Sequence, residues 1–102
     1  VMVPKATARE VDLVAASPSV DGIALVALIE SGEGLLDARD IAAHPAVTRL
    51  AVGEADLAAD LDMEAGDDDP AWLPSRMQLV WASAAAGLEG PIGPVFIDLR
   101  DL

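Results

Sequence analysis

The sequence contains no cysteine, which excludes disulfides, thiolate catalysis and cysteine-ligated metal sites and says little about compartment. No apolar run approaches the roughly 20 residues that cross a bilayer. No basic segment followed by an apolar one reads as a signal peptide. Basic charge is scarce: six Lys and Arg stand against 18 Asp and Glu, for a net charge of -12. Lys5, Arg9, Arg39, Arg49, Arg76 and Arg100 are scattered and form no stripe. Binding to nucleic-acid phosphates or to anionic membranes is therefore disfavoured. The default is a soluble cytoplasmic protein, and most of its acidity reads as serving solubility, the alternative being the attraction of cations.

What is present is a chain of 102 residues, enough for one modest domain. It is 53% hydrophobic with a mean hydropathy of +0.40, so a core can form, although alanine supplies much of that fraction and buries little area per residue. Val1 already lies in an apolar, strand-like stretch, and "FIDLRDL" stops just after another. The sequence reads as a piece of a larger domain.

Strand and helix patterns alternate along the chain. "VMVPK" is short, apolar and extended before Pro4. Thr7 and Glu10 stand at capping-box spacing ahead of the apolar face Val11, Leu13 and Val14. "IALVALIE", residues 23–30, is the strongest strand, and its near-continuous apolar character predicts burial on both faces. "SGEG" reads as a turn, residues 35–43 as a helix and residues 48–52 as a third strand. "GEADLAADL" turns into a short helix. Residues 72–87 form a clear one, with Leu73, Met77, Val80, Trp81 and Ala84 along one face and Gly87 just past its end. "GPVFIDL", residues 93–99, is a fourth strand. The order β-α-β-α-β-α-β implies right-handed crossovers and a parallel sheet. Two architectures close such a sheet: a small doubly wound fold, or a segment of a (β/α)8 barrel, which needs roughly 250 residues when whole.

Either architecture places its active face at the C-terminal ends of the strands. Lys5, Glu30, Gly53 through Asp56, and Asp98 sit there. Glu30 and Asp56 are 26 residues apart at the ends of neighbouring strands. Strands lie about 4.8 Å apart, so the two carboxylates could share an ion. Two hard oxygen ligands with open positions suit Mg²⁺. The alternative is that Glu30 caps a helix or pairs with Arg49. Backbone N–H groups of Glu54, Ala55 and Asp56 at a helix start can bind a carboxylate or enolate oxygen; an ordinary βα turn with Asp56 as N-cap is the alternative. His44 falls on the opposite, αβ-loop side, and no serine has a nucleophile's setting. "DDD" at 67–69 lacks calcium-loop spacing. Trp72 and Trp81 read as packing residues.

"VMVPK", "ALIESGEGLLDARDIAAHPAV", "LAVGEADLAADL" and "AAGLEGPIGPVFIDLRDL" resemble consecutive blocks of the citrate lyase beta subunit-like (CitE-like) proteins of the HpcH/HpaI aldolase and malyl-CoA lyase family. The resemblance covers nearly the whole chain in order. It implies a (β/α)8 TIM barrel, of which residues 1–102 would be part of the single domain, about strands 4 to 7. It implies that Glu30 and Asp56 are the catalytic Mg²⁺ ligands. The backbone around Gly53, Glu54, Ala55 and Asp56 would hold the substrate's carboxylate and keto group. Lys5 matches the family lysine at its strand end and is placed with the substrate-binding residues. The implied activity is Mg²⁺-dependent carbon–carbon cleavage or formation of a 3-hydroxyacyl-CoA thioester such as citryl-, citramalyl- or malyl-CoA. CoA would enter as part of the substrate and a 2-oxo acid would be the partner product. The implied assembly is a homo-oligomer, trimer or hexamer. A class II pyruvate aldolase acting without CoA, or a non-catalytic acidic domain, are the alternatives. The family often has glycine where this chain has Asp62, and aspartate where it has Gly93, which bears on substrate choice. Family elements beyond this sequence include an arginine that grips the carboxylate and a C-terminal lid, so residues 1–102 alone are expected to be inactive, with sheet edges prone to aggregation.

Overall fold

Three short apolar runs pair side by side in one parallel sheet. The computed structural model describes residues 1–64, 66 and 69–93. Strands β1 (Met2–Val3), β2 (Leu25–Ile29) and β3 (Val47–Val52) alternate with helices α1 (Ala8–Ala15), α2 (Gly32–Ala43), α3 (Glu54–Asp60) and α4 (Leu73–Ala85). Single 3-10 turns occupy Pro18–Val20 and Pro70–Trp72. The strand order is β1-β2-β3, with Val3 opposite Ala27 and Ile29 opposite Val52. Ala51 also bridges Ile92 in parallel, so pairing of a further segment begins beside β3. The rest of the strand expected over residues 93–99, with Asp98, lies outside the described residues.

The core forms where one sheet face meets the helices. Val3, Leu25, Ala27, Ile29 and Leu50 pack with Val11, Ala38, Ile41, Leu57 and Leu79, all buried. Strand β2 alternates, however: Val26 and Leu28 are only half-buried. Burial on both faces, expected from the apolar run, holds among the described residues for one face. Leu28 on the other face borders the cleft described below.

Two helices differ from expectation. Helix α2 begins at Gly32, so "SGEG" is a helix start rather than a turn. Ser31 Oγ accepts the N–H of Gly34 at 3.0 Å, and Asp60 Oδ2 accepts that of Gly32 at 2.8 Å. These caps offset the glycines' poor helix propensity. Gly34 is required for space: a Cβ there would lie 2.5 Å from the Ala6 carbonyl oxygen. In α4 the buried stripe is Leu79, Ala82 and Ser83. Leu73, Trp81 and Ala84, expected on the inner face, are exposed. Apolar residues flank this helix on more than one side, so periodicity alone does not select its face. Trp72 packs as expected, 2% exposed, whereas Trp81 is 64% exposed.

Helices α3 and α4 end alike. Gly87 and Asp62 follow the C-caps with φ of +74° and +56°. Met63 N–H bonds Ala58 O and Asp62 N–H bonds Ala59 O, matched by Leu88 to Ser83 and Gly87 to Ala84. This double bond pattern calls for a left-handed residue, ordinarily glycine. Asp62 therefore stands at a helix-ending turn. Relief of left-handed strain is worth about 1–2 kcal/mol and the added unfolded-state entropy of glycine costs about 0.4–1. Asp62→Gly is expected to stabilise the protein by about 0.5–1 kcal/mol in chemical denaturation; a loss of stability would contradict this account of the turn.

Candidate metal and substrate site

Glu30 follows the last residue of β2 and is only 9% exposed. A carboxylate so placed needs partners. Its Oε2 accepts the backbone N–H of Lys5 at 2.9 Å. Its Oε1 accepts no hydrogen bond among the described residues and lies over Gly53, where an added Cβ would be 2.7 Å away. Glycine at position 53 is thus what leaves room for the carboxylate. Gly53 N–H in turn donates to Ile29 O at 3.0 Å, joining the ends of β2 and β3. Neither bland alternative for Glu30 holds. Arg49 donates from Nε to Gly90 O at 2.8 Å and pairs with Glu89 at 3.4 Å, and the cap of α2 is Ser31.

Lys5 takes a left-handed backbone conformation, φ +47°. Such a conformation is uncommon outside glycine and costs free energy. It accompanies the turn that aims the Lys5 N–H at Glu30. The Lys5 ammonium forms no ion pair among the described residues. Asp56 is exposed in the first turn of α3. Lys5, Glu30 and Asp56 line one cleft of about 670 Å³, together with Pro4, Glu10 and Leu28. Among the described residues no group of three or more His, Cys, Asp or Glu is arranged to hold a metal. The cleft lining carries three carboxylates, of which Glu30 is buried and held while Asp56 and Glu10 are solvent-facing; the pair expected from the sequence, Glu30 and Asp56, is among them. That pair fits Mg²⁺, which keeps several waters and draws its remaining ligands from a substrate.

The other residues expected at the site divide. Glu54 sends its side chain to Arg76, in two bonds of 2.8 Å, with 17% and 13% side-chain exposure. It lies outside the cleft lining and clamps the start of α3 to α4. Gly53 spends its N–H on Ile29, so it offers a substrate space rather than a donor. Gly53, not Asp56, is the N-cap of α3. The N–H groups of Glu54, Ala55 and Asp56 belong to the first turn, where no helical acceptor exists. The sequence predicts only a capping role for Glu10. Its N–H does bond Thr7 Oγ1 at 3.1 Å, yet it also lines the cleft. The signal available was its place in the first turn of the helix after a strand-end lysine. His44, as expected, lies in a loop, its Nε2 3.2 Å from Asp12 and its Nδ1 accepting the Ala46 N–H at 3.1 Å.

The family model described as HpcH/HpaI aldolase/citrate lyase matches residues 1–102. The chain belongs to this family. A curated relative, the (3S)-malyl-CoA thioesterase of Cereibacter sphaeroides, is 39% identical over 61 residues, which are 60% of this chain and 21% of the relative. RipC from Yersinia pestis superposes with a TM-score of 0.74 at 29% identity, over 85% of this chain and 40% of RipC. The citrate lyase beta subunit of Mycobacterium tuberculosis, complexed with oxaloacetate and magnesium, gives a TM-score of 0.72 at 24% identity, over 98% of this chain and 46% of that one. The same organism's CitE, complexed with magnesium, acetoacetate and coenzyme A, gives the same values over 38% of its chain. The chain thus spans less than half the length of these structures. Its fold is part of a CitE-like TIM barrel rather than a small doubly wound sheet.

The Glu54–Arg76 pair supplies a stability test in this HpcH/HpaI domain. Removing one partner of a largely desolvated pair strands the other's charge. Arg76→Ala, which leaves the largely buried Glu54 carboxylate without its guanidinium, is expected to cost about 2–3 kcal/mol in denaturant unfolding, discounted from a fully buried pair for residual solvent contact. A loss under about 0.5 kcal/mol, typical of surface pairs, would show that the clamp is solvated.

Proposed function

We propose that the protein containing this sequence is a Mg²⁺-dependent carbon–carbon lyase acting on a 3-hydroxyacyl-CoA thioester such as citryl-, citramalyl- or malyl-CoA, with residues 1–102 forming part of its single TIM-barrel domain. The observation that carries this reading is the meeting of Lys5, Glu30 and Asp56 on one cleft. The names of the magnesium, oxaloacetate and coenzyme A complexes of the M. tuberculosis relatives support it. A homo-oligomer is the proposed assembly, and the cytoplasm the proposed compartment.

Glu30 and Asp56 are the residues that would hold Mg²⁺. When bound, the ion acts as a Lewis acid toward the oxygen atoms of the 2-oxo acid half of the substrate. Glu30 enters with its orientation already set by the Lys5 N–H and by the space over Gly53. Asp56 supplies the second carboxylate from the short helix α3. The Lys5 ammonium binds an anionic group of the substrate entering the cleft. The first-turn N–H groups of Glu54, Ala55 and Asp56 orient the carboxylate and keto oxygens. Gly53 takes part by its missing side chain.

The name of the curated relative, a malyl-CoA thioesterase, favours a second reading in which the thioester is hydrolysed. Products separate the two: a lyase converts malyl-CoA to acetyl-CoA and glyoxylate, a thioesterase to malate and free CoA. In the protein containing this sequence, Glu30→Gln and Asp56→Asn are each expected to lower kcat/KM by at least about 100-fold. Gly53→Ala is expected to weaken Mg²⁺ binding by displacing Glu30. Unchanged rates in the two carboxylate variants would refute the assignment. Cleavage of hydroxy acids without CoA would replace it with an aldolase.

A further inference from the structure

Asp60 is the last residue of α3, one turn beyond Asp56. An acid there is at odds with its own helix, because the C-terminal end of a helix carries partial negative charge. Its Oδ2 instead accepts the N–H of Gly32 at 2.8 Å. Gly32 is the first residue of α2 and follows Glu30 by two positions. The carboxylate is thus placed at the positive end of a second helix, where the same dipole effect favours it. We infer that Asp60 is a positioning residue: it ties the segment carrying Asp56 to the segment carrying Glu30 and so sets the separation of the two carboxylates. This rests on the metal reading proposed above.

The inference has structural weight because α3 cannot hold its own place. It has seven residues, well short of the length at which an isolated helix persists in water. Buried Leu57 anchors its middle. The Glu54–Arg76 pair fastens its start to α4. Asp60 fastens its end, and does so to the one loop that bears the other carboxylate. Leu61 supports the same junction: a Cβ on Gly32 would approach its Cδ2 at 3.1 Å. Ser31 caps the same end of α2 through Gly34 but makes no bridge to α3. The two caps therefore serve as internal controls, alike in what they do for α2 and different in what they do for the site.

The test is Mg²⁺ binding by calorimetry, with a metal-free thermal melt, on the protein containing this sequence and its Asp60→Ala, Asp60→Asn and Ser31→Ala variants. Residues supporting a metal's ligands typically shift affinity about 10–100-fold. Asp60→Ala is expected to weaken Mg²⁺ binding by about 10-fold or more, while Asp60→Asn, which keeps an acceptor oxygen, and Ser31→Ala stay within about threefold of the parent. Unchanged affinity in Asp60→Ala, or an equal loss in Ser31→Ala, overturns the inference. Glu30→Gln and Asp56→Asn, measured alongside, separate the failures. If they lose Mg²⁺ and Asp60→Ala does not, only the positioning role falls. If they bind Mg²⁺ normally, both readings fall. Should Asp60→Ala unfold before titration, Asp60→Ser decides with its shorter acceptor, the same 10-fold loss being expected and parent-like affinity being contrary.

Discussion

The site depends on how one buried carboxylate is accommodated. Glu30 sits at the end of an apolar strand with little access to water. Ionised, it would be costly there without compensation. The structure provides one amide, from Lys5, and one absence, the missing side chain of Gly53. Both come from the ends of neighbouring strands. The three segments that reach the cleft are therefore fixed relative to one another by the demands of a single side chain.

Around that carboxylate the chain breaks local preferences in concert. Lys5 accepts a left-handed backbone, two glycines open α2, and Asp60 ends α3 against its own dipole. Each departure is answered by a contact from elsewhere in the fold. Violations of local rules that cluster at one place and are compensated by tertiary contacts are what a functional site looks like in physical terms. At the opposite end of the sheet His44 is bonded within its loop and to Asp12, while the outer helix surfaces expose Leu13, Leu36, Leu73 and Trp81.

The alternation of strands and helices was legible because glycine and proline punctuate the apolar runs at Pro18, Gly22, Gly53 and Pro70. Glu30 and Asp56 stood out because the ends of parallel strands are where such folds collect their chemistry. What could not be read were pairings over long sequence separations. Arg76 lies 22 residues beyond Glu54, and nothing local marks Glu54 as a clamp rather than a ligand. The early start of α2 depends on Asp60, 28 residues away. The outward turn of Trp81 and the reach of Glu10 into the cleft are likewise set by packing, which apolar spacing on a two-sided helix leaves open. The resemblance to HpcH/HpaI enzymes placed the chain in the right family and implied which residues would hold a ligand; it carried nothing about the residues that fasten those segments, such as Arg76 and Asp60.

The most direct test of this account is a crystal structure of the protein containing this sequence grown with Mn²⁺ in place of Mg²⁺, with the metal located by anomalous scattering. The account predicts a single strong peak in the cleft, about 2.2 Å from one oxygen of Glu30 and one of Asp56. A peak that touches only one of these carboxylates, or none at millimolar metal, would contradict it.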